Sequence, residues 1–331
     1  MMVREPAFAG HYYPAQGDAC RAEVGRLAEA APLMTDDAGD WPVSDPDAPS
    51  AGQSAFSPTS ESTNPSRIPD PDMGGAHSSL VGGIVPHSSW AFCGQLMAGV
   101  VQALARRNDP EVIVIIGGTH KMRTSIAAMF GSGRWETPLG GLRIDARLAE
   151  RVAGQTNLIV DDPYAHESEH GLEVMTPFIA HYFGPVSILP VIVPSNSRAF
   201  SVGEAIGRTL KLYDYRALVI GTTDLTHYGP AYEFMPRGDG EAGYRWAKYE
   251  NDRRFINLVE AMKGRELVEE ASRNRNACSS GAIAATLAVA DMLRASRAEM
   301  IAHTHSREVL AHAGQDLPGD TVGFASFVLR K

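Results

Sequence analysis

The stretch EVIVIIGGTH, residues 111–120, runs through five consecutive β-branched residues to a glycine pair and then a histidine. An uninterrupted apolar run of this length predicts a strand that is buried on both faces of a parallel or mixed sheet. Other apolar runs of the same kind are SLVGGIVP (79–86), VSILPVIVP (186–194), RALVIGTT (216–223), EMIAHTH (299–305) and TVGFASFVL (321–329). The chain therefore contains the strands of a sizeable sheet.

Segments with apolar residues at helical spacing alternate with these strands. They are GQLMAGVVQALARR (94–107), DARLAERVAG (145–154), VGEAIGRTLKLY (202–213), RRFINLVEAMKG (253–264) and SGAIAATLAVADMLRAS (280–296). This alternation predicts an α/β fold, a single layered domain in which helices flank a central, mixed and largely parallel sheet.

Residues 36–79 differ from the rest of the chain in composition. The segment is rich in Asp, Pro, Ser, Gly and Ala and has few large apolar residues. Such a segment cannot bury enough apolar surface to offset the entropy lost on ordering. Too little chain precedes it to form a domain, so we predict one domain over residues 1–331 with a flexible surface insertion at 36–79.

Charge and cysteine content narrow the classes of partner. The net charge is −9 and the basic residues are scattered, which argues against nucleic acid and anionic membranes as partners. No apolar run approaches the ~20 residues that span a bilayer. Three widely separated cysteines do not suggest a disulfide framework. We expect a cytoplasmic protein with a small-molecule, peptide or protein ligand.

Reactive side chains follow several of the predicted strands. His87 follows SLVGGIVP, His120 ends the stretch quoted first, and Asp224 and His227 follow RALVIGTT. Ligands bind outside the carboxyl ends of strands in open α/β sheets, so parallel strands would bring these residues to one cleft. A single histidine in this position is more often a loop residue, but the repetition favours a shared site.

Cys278 lies in RNRNACSSGAIAATL, directly before a strongly helical segment. A helix amino terminus favours a thiolate, which binds metals. The alternative is an ordinary helix start, where Asn276, Ser279 and Ser280 supply caps and the cysteine is a small buried filler. With two imidazoles nearby, the residue types instead indicate a nitrogen and sulfur site suited to iron, copper or zinc.

The segment AHESEHGLEVM contains His166, Glu167 and His170 in the H-E-x-x-H spacing of zinc proteases. A proline upstream and a glycine downstream are unfavourable for the required helix. We therefore prefer a polar loop or helix start in which Glu169, His170 and Glu173 reach the cleft or orient its histidines.

His303 and His305 alternate along a predicted strand and should face the same way. They are in position to flank a site. An exposed or edge location is the simpler expectation for them.

Six blocks in order resemble the MEMO family, also known as AmmeMemoRadiSam system protein B. The blocks are REPAFAGHYYP (4–14), IVPHSSWAFCG (84–94), IIGGTH (115–120), EHGLEVMTPFI (169–179), GTTDLTHYG (221–229) and ACSSGAIAA (277–285). The resemblance covers nearly the whole chain except the insertion. It implies a single domain like that of the class III extradiol ring-cleaving dioxygenases.

The resemblance also implies roles for individual residues. His87, His120 and Cys278 match the family's metal-site positions, which bind iron or copper. Asp224 and His227 match a block that lines the same cleft, and His170 and Glu173 match a further block. The neighbouring residues 88–90 depart from the family's usual Ala-Gly-Tyr. Metal binding is therefore better supported than a shared substrate.

Three functions follow as hypotheses. The first is a metal-binding protein, a redox enzyme of unidentified substrate, in which His227, held by Asp224 or a neighbouring group, is the proton carrier. The second is a non-catalytic protein that binds a peptide or partner in the same cleft. The resemblance implies radical-SAM and AMMECR-type proteins as partners. The third is an extradiol-type dioxygenase, although a cysteine in place of a carboxylate ligand would change the metal's chemistry.

Overall fold

The computed structural model of the protein describes residues 2–31, 80–120, 124–315 and 319–331. The described residues contain twelve strands: β1 (Val3–Arg4), β2 (Leu80–Val85), β3 (Val112–Gly117), β4 (Ala127–Met129), β5 (Arg134–Trp135), β6 (Leu142–Ile144), β7 (Ile159–Asp161), β8 (Ser187–Ile192), β9 (Ala217–Thr222), β10 (His227–Tyr228), β11 (Arg297–His305) and β12 (Thr321–Arg330).

The described residues also contain ten α-helices: α1 (Gly17–Glu29), α2 (Trp90–Arg107), α3 (Ala146–Gln155), α4 (Thr176–Phe183), α5 (Ala199–Leu212), α6 (Glu241–Trp246), α7 (Asp252–Glu260), α8 (Leu267–Asn274), α9 (Ser280–Met292) and α10 (Ser306–His312). Short 3-10 turns occur at Pro163–His166, Glu173–Met175 and Pro230–Tyr232, and a π-helical turn at Ala247–Asn251 joins α6 to α7.

The strands form one mixed sheet, in which nine follow the order β1-β5-β6-β8-β3-β9-β2-β12-β10. The other three lie off this path, with β11 beside β12 and with β4 beside β8 and β7. The centre is parallel, because β6, β8, β3, β9 and β2 pair with their neighbours in the same direction. Antiparallel pairs lie on either side, with β12 against β2 and β5 against β6. The predicted α/β class with a mixed, largely parallel sheet is confirmed.

Helices cover both faces of the sheet, as two glycines on adjacent strands illustrate. A Cβ at Gly83 of β2 would meet Val100 of α2, whereas a Cβ at Gly221 of β9 would meet Thr286 of α9. Gly221 lies opposite Ile84, the residue after Gly83, so the two glycines face opposite sides. Thus α2 packs on one face, with α1 and α4 against it, and α9 packs on the other, with α5 and α8 against it.

Helix α9 is buried on every side from Ser280 to Ala290. Its sequence SGAIAATLAVA lacks a polar face, which is typical of a helix enclosed between a sheet and further helices. Small side chains permit this packing. A Cβ at Gly203 of α5 would lie only 2.1 Å from the carbonyl oxygen of Ala285. The enclosed helix fixes the position of Cys278, two residues before its start.

The predicted insertion at 36–79 lies outside the described residues, and the single-domain assignment stays a prediction. His303 and His305 lie on β11, which pairs with β12 alone among the described strands, so their edge position is confirmed. At this edge their side chains are only 9% and 0% exposed. Helices α7 and α10 pack against β11 and bury them.

Candidate metal centre

The carboxyl ends of three adjacent parallel strands form the floor of the site. Strands β3, β9 and β2 are neighbours and end at Gly117, Thr222 and Val85. His120, Asp224 and His87 follow those ends by two or three residues, so the sheet brings them together, as the strand-end argument predicted. Cys278 enters from the loop before α9, where its amide donates to the carbonyl of Asp224 at 3.2 Å.

The ring of His87 is held in one tautomer by Thr222. The hydroxyl of Thr222 donates to the carbonyl of Gly171 at 2.8 Å, so it accepts at the same time from Nδ1 of His87, 2.9 Å away. This assignment follows from the hydrogen-bond network. Nε2 of His87 therefore carries a lone pair, and it lies 3.2 Å from Sγ of Cys278. The imidazole presents its metal-binding atom to the sulfur.

Glu169 orients His120. Its carboxylate accepts from Nδ1 of His120 at 2.7 Å, from the main-chain amide of His120 at 2.8 Å and from the amide of Gly171 at 2.9 Å. A carboxylate on Nδ1 leaves Nε2 as the metal-binding atom, as is usual for histidine ligands. The sequence stretch 169–173 was expected to supply such an orienting group, and Glu169 supplies it.

Glu169 and His120 each shift the pKa of the other. Burial raises the pKa of Glu169, but the hydrogen bond and charge of His120 outweigh it and lower the pKa to about 2. Burial lowers the pKa of His120, but hydrogen bonds to Cys278 and Glu169 outweigh it and raise the pKa to about 9. Without a metal, His120 is therefore an imidazolium between sulfur and carboxylate at neutral pH, and a metal ion would displace its proton.

The sulfur of Cys278 lies beside two groups that can donate hydrogen bonds to it. The amide of Asp224 donates to Sγ at 3.3 Å, and the hydroxyl of Ser279 lies 3.6 Å away. The hydroxyl of Thr223, at 3.7 Å, donates instead to the carbonyl of Asp224. Donors of this kind stabilise negative charge on sulfur, the form that binds metals. The carboxylate of Asp224 accepts from the amide of His87 at 2.9 Å. Asp224 thus links the strand carrying His87 to the loop carrying Cys278.

His170 is a third imidazole at the centre. The metal-binding atoms of His87, His120 and His170 all lie within 4.8 Å of one another. Burial, followed by the charges of His87 and His120, lowers the pKa of His170 to about 4, so the ring is neutral, the form that binds metals. The rings of Tyr12 and Phe8 cover it, with centroids at 4.9 and 5.6 Å. The sequence placed His170 in the cleft without predicting that it joins the two histidines.

His227 is held by a main-chain carbonyl. Its Nδ1 donates to the carbonyl of Leu225 at 3.0 Å, which leaves Nε2 as an acceptor, and its ring contacts that of Tyr232 at 5.0 Å. The sequence predicted a partner at Asp224 or a neighbouring group, and the partner is Leu225. The role of His227 as proton carrier stays a prediction.

Glu173 differs from the other predicted site residues. Its carboxylate is 1% exposed and accepts from the guanidinium of Arg4 at 2.6 Å, the hydroxyl of Tyr13 at 2.6 Å and the amides of Ala7 and Phe8 at 3.1 and 2.8 Å. Within the described parts of the chain, no hydrogen bond joins it to a histidine of the cleft. Glu173 therefore fastens the amino-terminal segment, including the aromatic residues that cover His170, to the domain.

The zinc-protease interpretation does not fit the geometry. His166 ends a 3-10 turn, and the chain from Glu167 to His170 is not helical, so the two histidines do not share a helix face. The ring of His166 is fully buried between Phe130 and Trp135, with centroids at 5.8 and 5.7 Å. Burial, then the charge of Arg4, lowers its pKa to about 3. His166 is a buried neutral residue.

The donor set fits a metal ion. Two imidazoles locked with Nε2 inward, a thiol within 3.2 Å of one of them and a third imidazole nearby are suited to iron, copper or zinc, and unsuited to magnesium or calcium. Gly171 leaves room for the groups that hold the two rings, because a Cβ there would lie 3.1 Å from Oε1 of Glu169 and 3.2 Å from Nδ1 of His87. Fold and site together define an α/β protein with a candidate metal centre at the carboxyl edge of its sheet.

Comparison with known proteins shows the family of this chain. The family model described as Memo-like protein matches residues 67–327. A MEMO1 family protein of Pyrobaculum arsenaticum is 28% identical over 334 residues, 100% of both chains, and one of Pyrococcus furiosus is 30% identical over 260 residues, 76% of this chain and 87% of that one. The chain belongs to the Memo-like protein family.

One solved structure is more distantly similar. An uncharacterized protein from Escherichia coli K12 has a TM-score of 0.45 and 11% identity, over 75% of this chain and 99% of that chain. A likeness at this level transfers no function. Among the described residues, no helix is long and apolar enough to cross a membrane.

Proposed function

We propose that this protein binds one redox-active iron or copper ion through His87, His120 and Cys278, with His170 as an additional nitrogen donor. The observation that carries the proposal is the 3.2 Å separation between Sγ of Cys278 and Nε2 of His87, an imidazole whose other nitrogen is already engaged. Ligands from three separate parts of the chain meet there. A simple helix-start role for Cys278 does not require this meeting.

Each chain residue has a definite task in the proposal. Thr222 and Glu169 hold the two imidazoles with Nε2 directed inward, as outer-shell partners of metal ligands do. The rings of Phe8 and Tyr12 shield His170 from water. His227, fixed by the carbonyl of Leu225, accepts or delivers a proton at Nε2. Bound iron or copper would supply electron exchange with a substrate or with oxygen.

The choice of iron or copper over zinc rests on the family resemblance, because the donor set itself also suits zinc. Sulfur in place of a carboxylate separates this centre from two-histidine, one-carboxylate oxygenases. The nearest carboxylates, those of Asp224 and Glu169, are engaged by the amide of His87 and the ring of His120. Ring cleavage is therefore the less favoured chemistry.

Metal analysis of the purified protein tests the proposal. We expect at least one equivalent of iron or copper in the wild type, and an equal amount in the control His312→Ala, which changes an exposed histidine of α10. His87→Ala and Cys278→Ser should each bind at least tenfold more weakly. Equal metal content in all four proteins would contradict the proposal. Copper bound in the wild type should also give a thiolate-to-copper charge-transfer band that Cys278→Ser lacks.

The partner-binding alternative has a separate test. If metal is bound without turnover, while a radical-SAM or AMMECR-type protein co-purifies in equal amount, the cleft serves binding and not catalysis. Loss of that co-purification in a Tyr232→Ala variant, which changes the wall beside His227, would support the alternative.

A further inference from the structure

A second cluster of metal-binding side chains lies apart from the candidate centre. His303 and His305 point to the same side of β11, and Asp252 is the first residue of α7, directly after the π-helical turn Ala247–Asn251. Nε2 of each histidine lies 2.8 Å from Oδ2 of Asp252. The three metal-binding atoms all lie within 4.8 Å of one another. Local π-helical turns occur frequently at functional sites.

Outer contacts hold two of these side chains in place. Nδ1 of His305 is 3.1 Å from the hydroxyl of Thr321, and Oδ1 of Asp252 accepts from the amide of Thr226 at 3.0 Å. These contacts engage Nδ1 of His305 and Oδ1 of Asp252, the atoms that face away from the cluster. Nε2 of His305 and Oδ2 of Asp252 are left directed at the cluster. Metal ligands are usually held by contacts of this kind.

The side of the cluster that faces β12 is kept open by a glycine. Gly323 pairs with His305 across the two strands. A Cβ at Gly323 would lie 2.2 Å from Oδ2 of Asp252 and 3.0 Å from Nε2 of His305. Any side chain at this position would enter the space where an ion would contact both groups.

The spacing is close to that of a metal site. Two ligand atoms about 2.1 Å from one ion lie about 3.0 Å apart at right angles and about 3.4 Å apart at the tetrahedral angle that zinc prefers. The two contacts of 2.8 Å would therefore lengthen by about 0.2 to 0.6 Å on binding. Two imidazoles and one carboxylate on a single face are the donors of the two-histidine, one-carboxylate sites for iron(II), and zinc binds the same donors.

Charge around the cluster is also compatible with a cation. Asp252 contributes one negative charge. Lys248 forms an ion pair with Glu308, and that glutamate also accepts from the amide of His305 at 3.0 Å. The charge of Lys248 is thus balanced by Glu308, and the carboxylate of Asp252 faces the cluster.

We propose that Asp252, His303 and His305 form a second binding site, for a divalent first-row cation such as Zn²⁺ or Fe²⁺. The site is independent of the His87, His120 and Cys278 centre in its ligands. It lies behind the loop that carries His227, because Asp252 and Gly323 both bond to the main chain of Thr226. An ion there would fasten that loop to β11 and α7.

Zn²⁺ titration in a protein without the first centre tests the proposal. The variant His87→Ala/Cys278→Ser should bind one equivalent of Zn²⁺ by calorimetry. Adding His303→Gln should weaken that binding at least tenfold, while adding His11→Gln, an exposed histidine, should leave it unchanged. Glutamine retains an amide that can donate to Asp252, which favours retention of the fold.

Two outcomes would overturn the proposal. One is no Zn²⁺ binding in the His87→Ala/Cys278→Ser protein, and the other is equal affinity with and without His303. A second test counts bound Co²⁺ in proteins that keep Asp252, His303 and His305, and it applies even if His303→Gln does not fold. The wild type should bind two equivalents of Co²⁺ and His87→Ala/Cys278→Ser one, and a loss of binding to zero in the latter would mean that the cluster is only a hydrogen-bond network.

Discussion

Replacing Glu173 by glutamine separates a role in the fold from a role in the cleft. The carboxylate is 1% exposed and its partner Arg4 is 4% exposed, so both members of the ion pair are buried. Removing one partner of a buried ion pair costs about 3–5 kcal/mol, because the other charge is left uncompensated. Glutamine keeps the size but has one acceptor oxygen for four donors. We therefore expect Glu173→Gln to lower the free energy of unfolding by about 3–5 kcal/mol.

Urea unfolding followed by circular dichroism measures this loss, with Glu23→Gln as a control. Glu23 pairs with Arg26 on the exposed face of α1, so its variant should change stability by less than about 1 kcal/mol. The double variant Arg4→Met/Glu173→Leu should be less destabilised than the sum of the two single changes. A loss below about 1 kcal/mol for Glu173→Gln, or metal content that falls with stability unchanged, would refute the assignment.

Three further predictions concern the pH dependence of folding and the orientation of the ligands. His166 has a folded pKa of about 3 against about 6.5 unfolded, so the unfolded state binds the extra proton as pH falls below 6.5. Between pH 7 and pH 5, this group should lower the free energy of unfolding of the wild type by about 2 kcal/mol, and His166→Phe should not show this loss. Equal losses in the two proteins, measured by urea unfolding, would refute this prediction. Glu169→Gln should weaken metal binding about 10- to 100-fold in a chelator competition, because glutamine cannot hold His120 as a carboxylate does, and an unchanged affinity would oppose it. Thr222→Val should weaken binding about 10-fold by freeing the tautomer of His87, whereas the exposed Thr124→Val should have no effect.

The sequence predicts the floor of the site well, for a physical reason. A buried parallel strand is recognisable from its apolar run, and the carboxyl ends of such strands meet at one edge. The positions of His87, His120 and Asp224 therefore follow from local patterns. The approach of Cys278 depends on the burial of α9, which its apolar composition also indicates.

The partners of these residues could not be predicted in the same way. Thr222 reaches His87 only because β9 lies beside β2 in one register, and an apolar run does not specify register. Glu169 and Glu173 are four residues apart and appeared equivalent. A loop and a 3-10 turn between them direct one to His120 and the other to Arg4. Asp252 carried no local signal, because its histidine partners lie about fifty residues away.

Extended X-ray absorption fine structure (EXAFS) of the bound metal tests most directly the claim that Cys278 and the histidines bind one ion. In protein reconstituted with copper or iron, we predict one sulfur scatterer at about 2.3 Å and two or three nitrogens at about 2.1 Å, with the sulfur lost in Cys278→Ser. A spectrum with nitrogen and oxygen neighbours alone, unchanged by Cys278→Ser, would contradict the account.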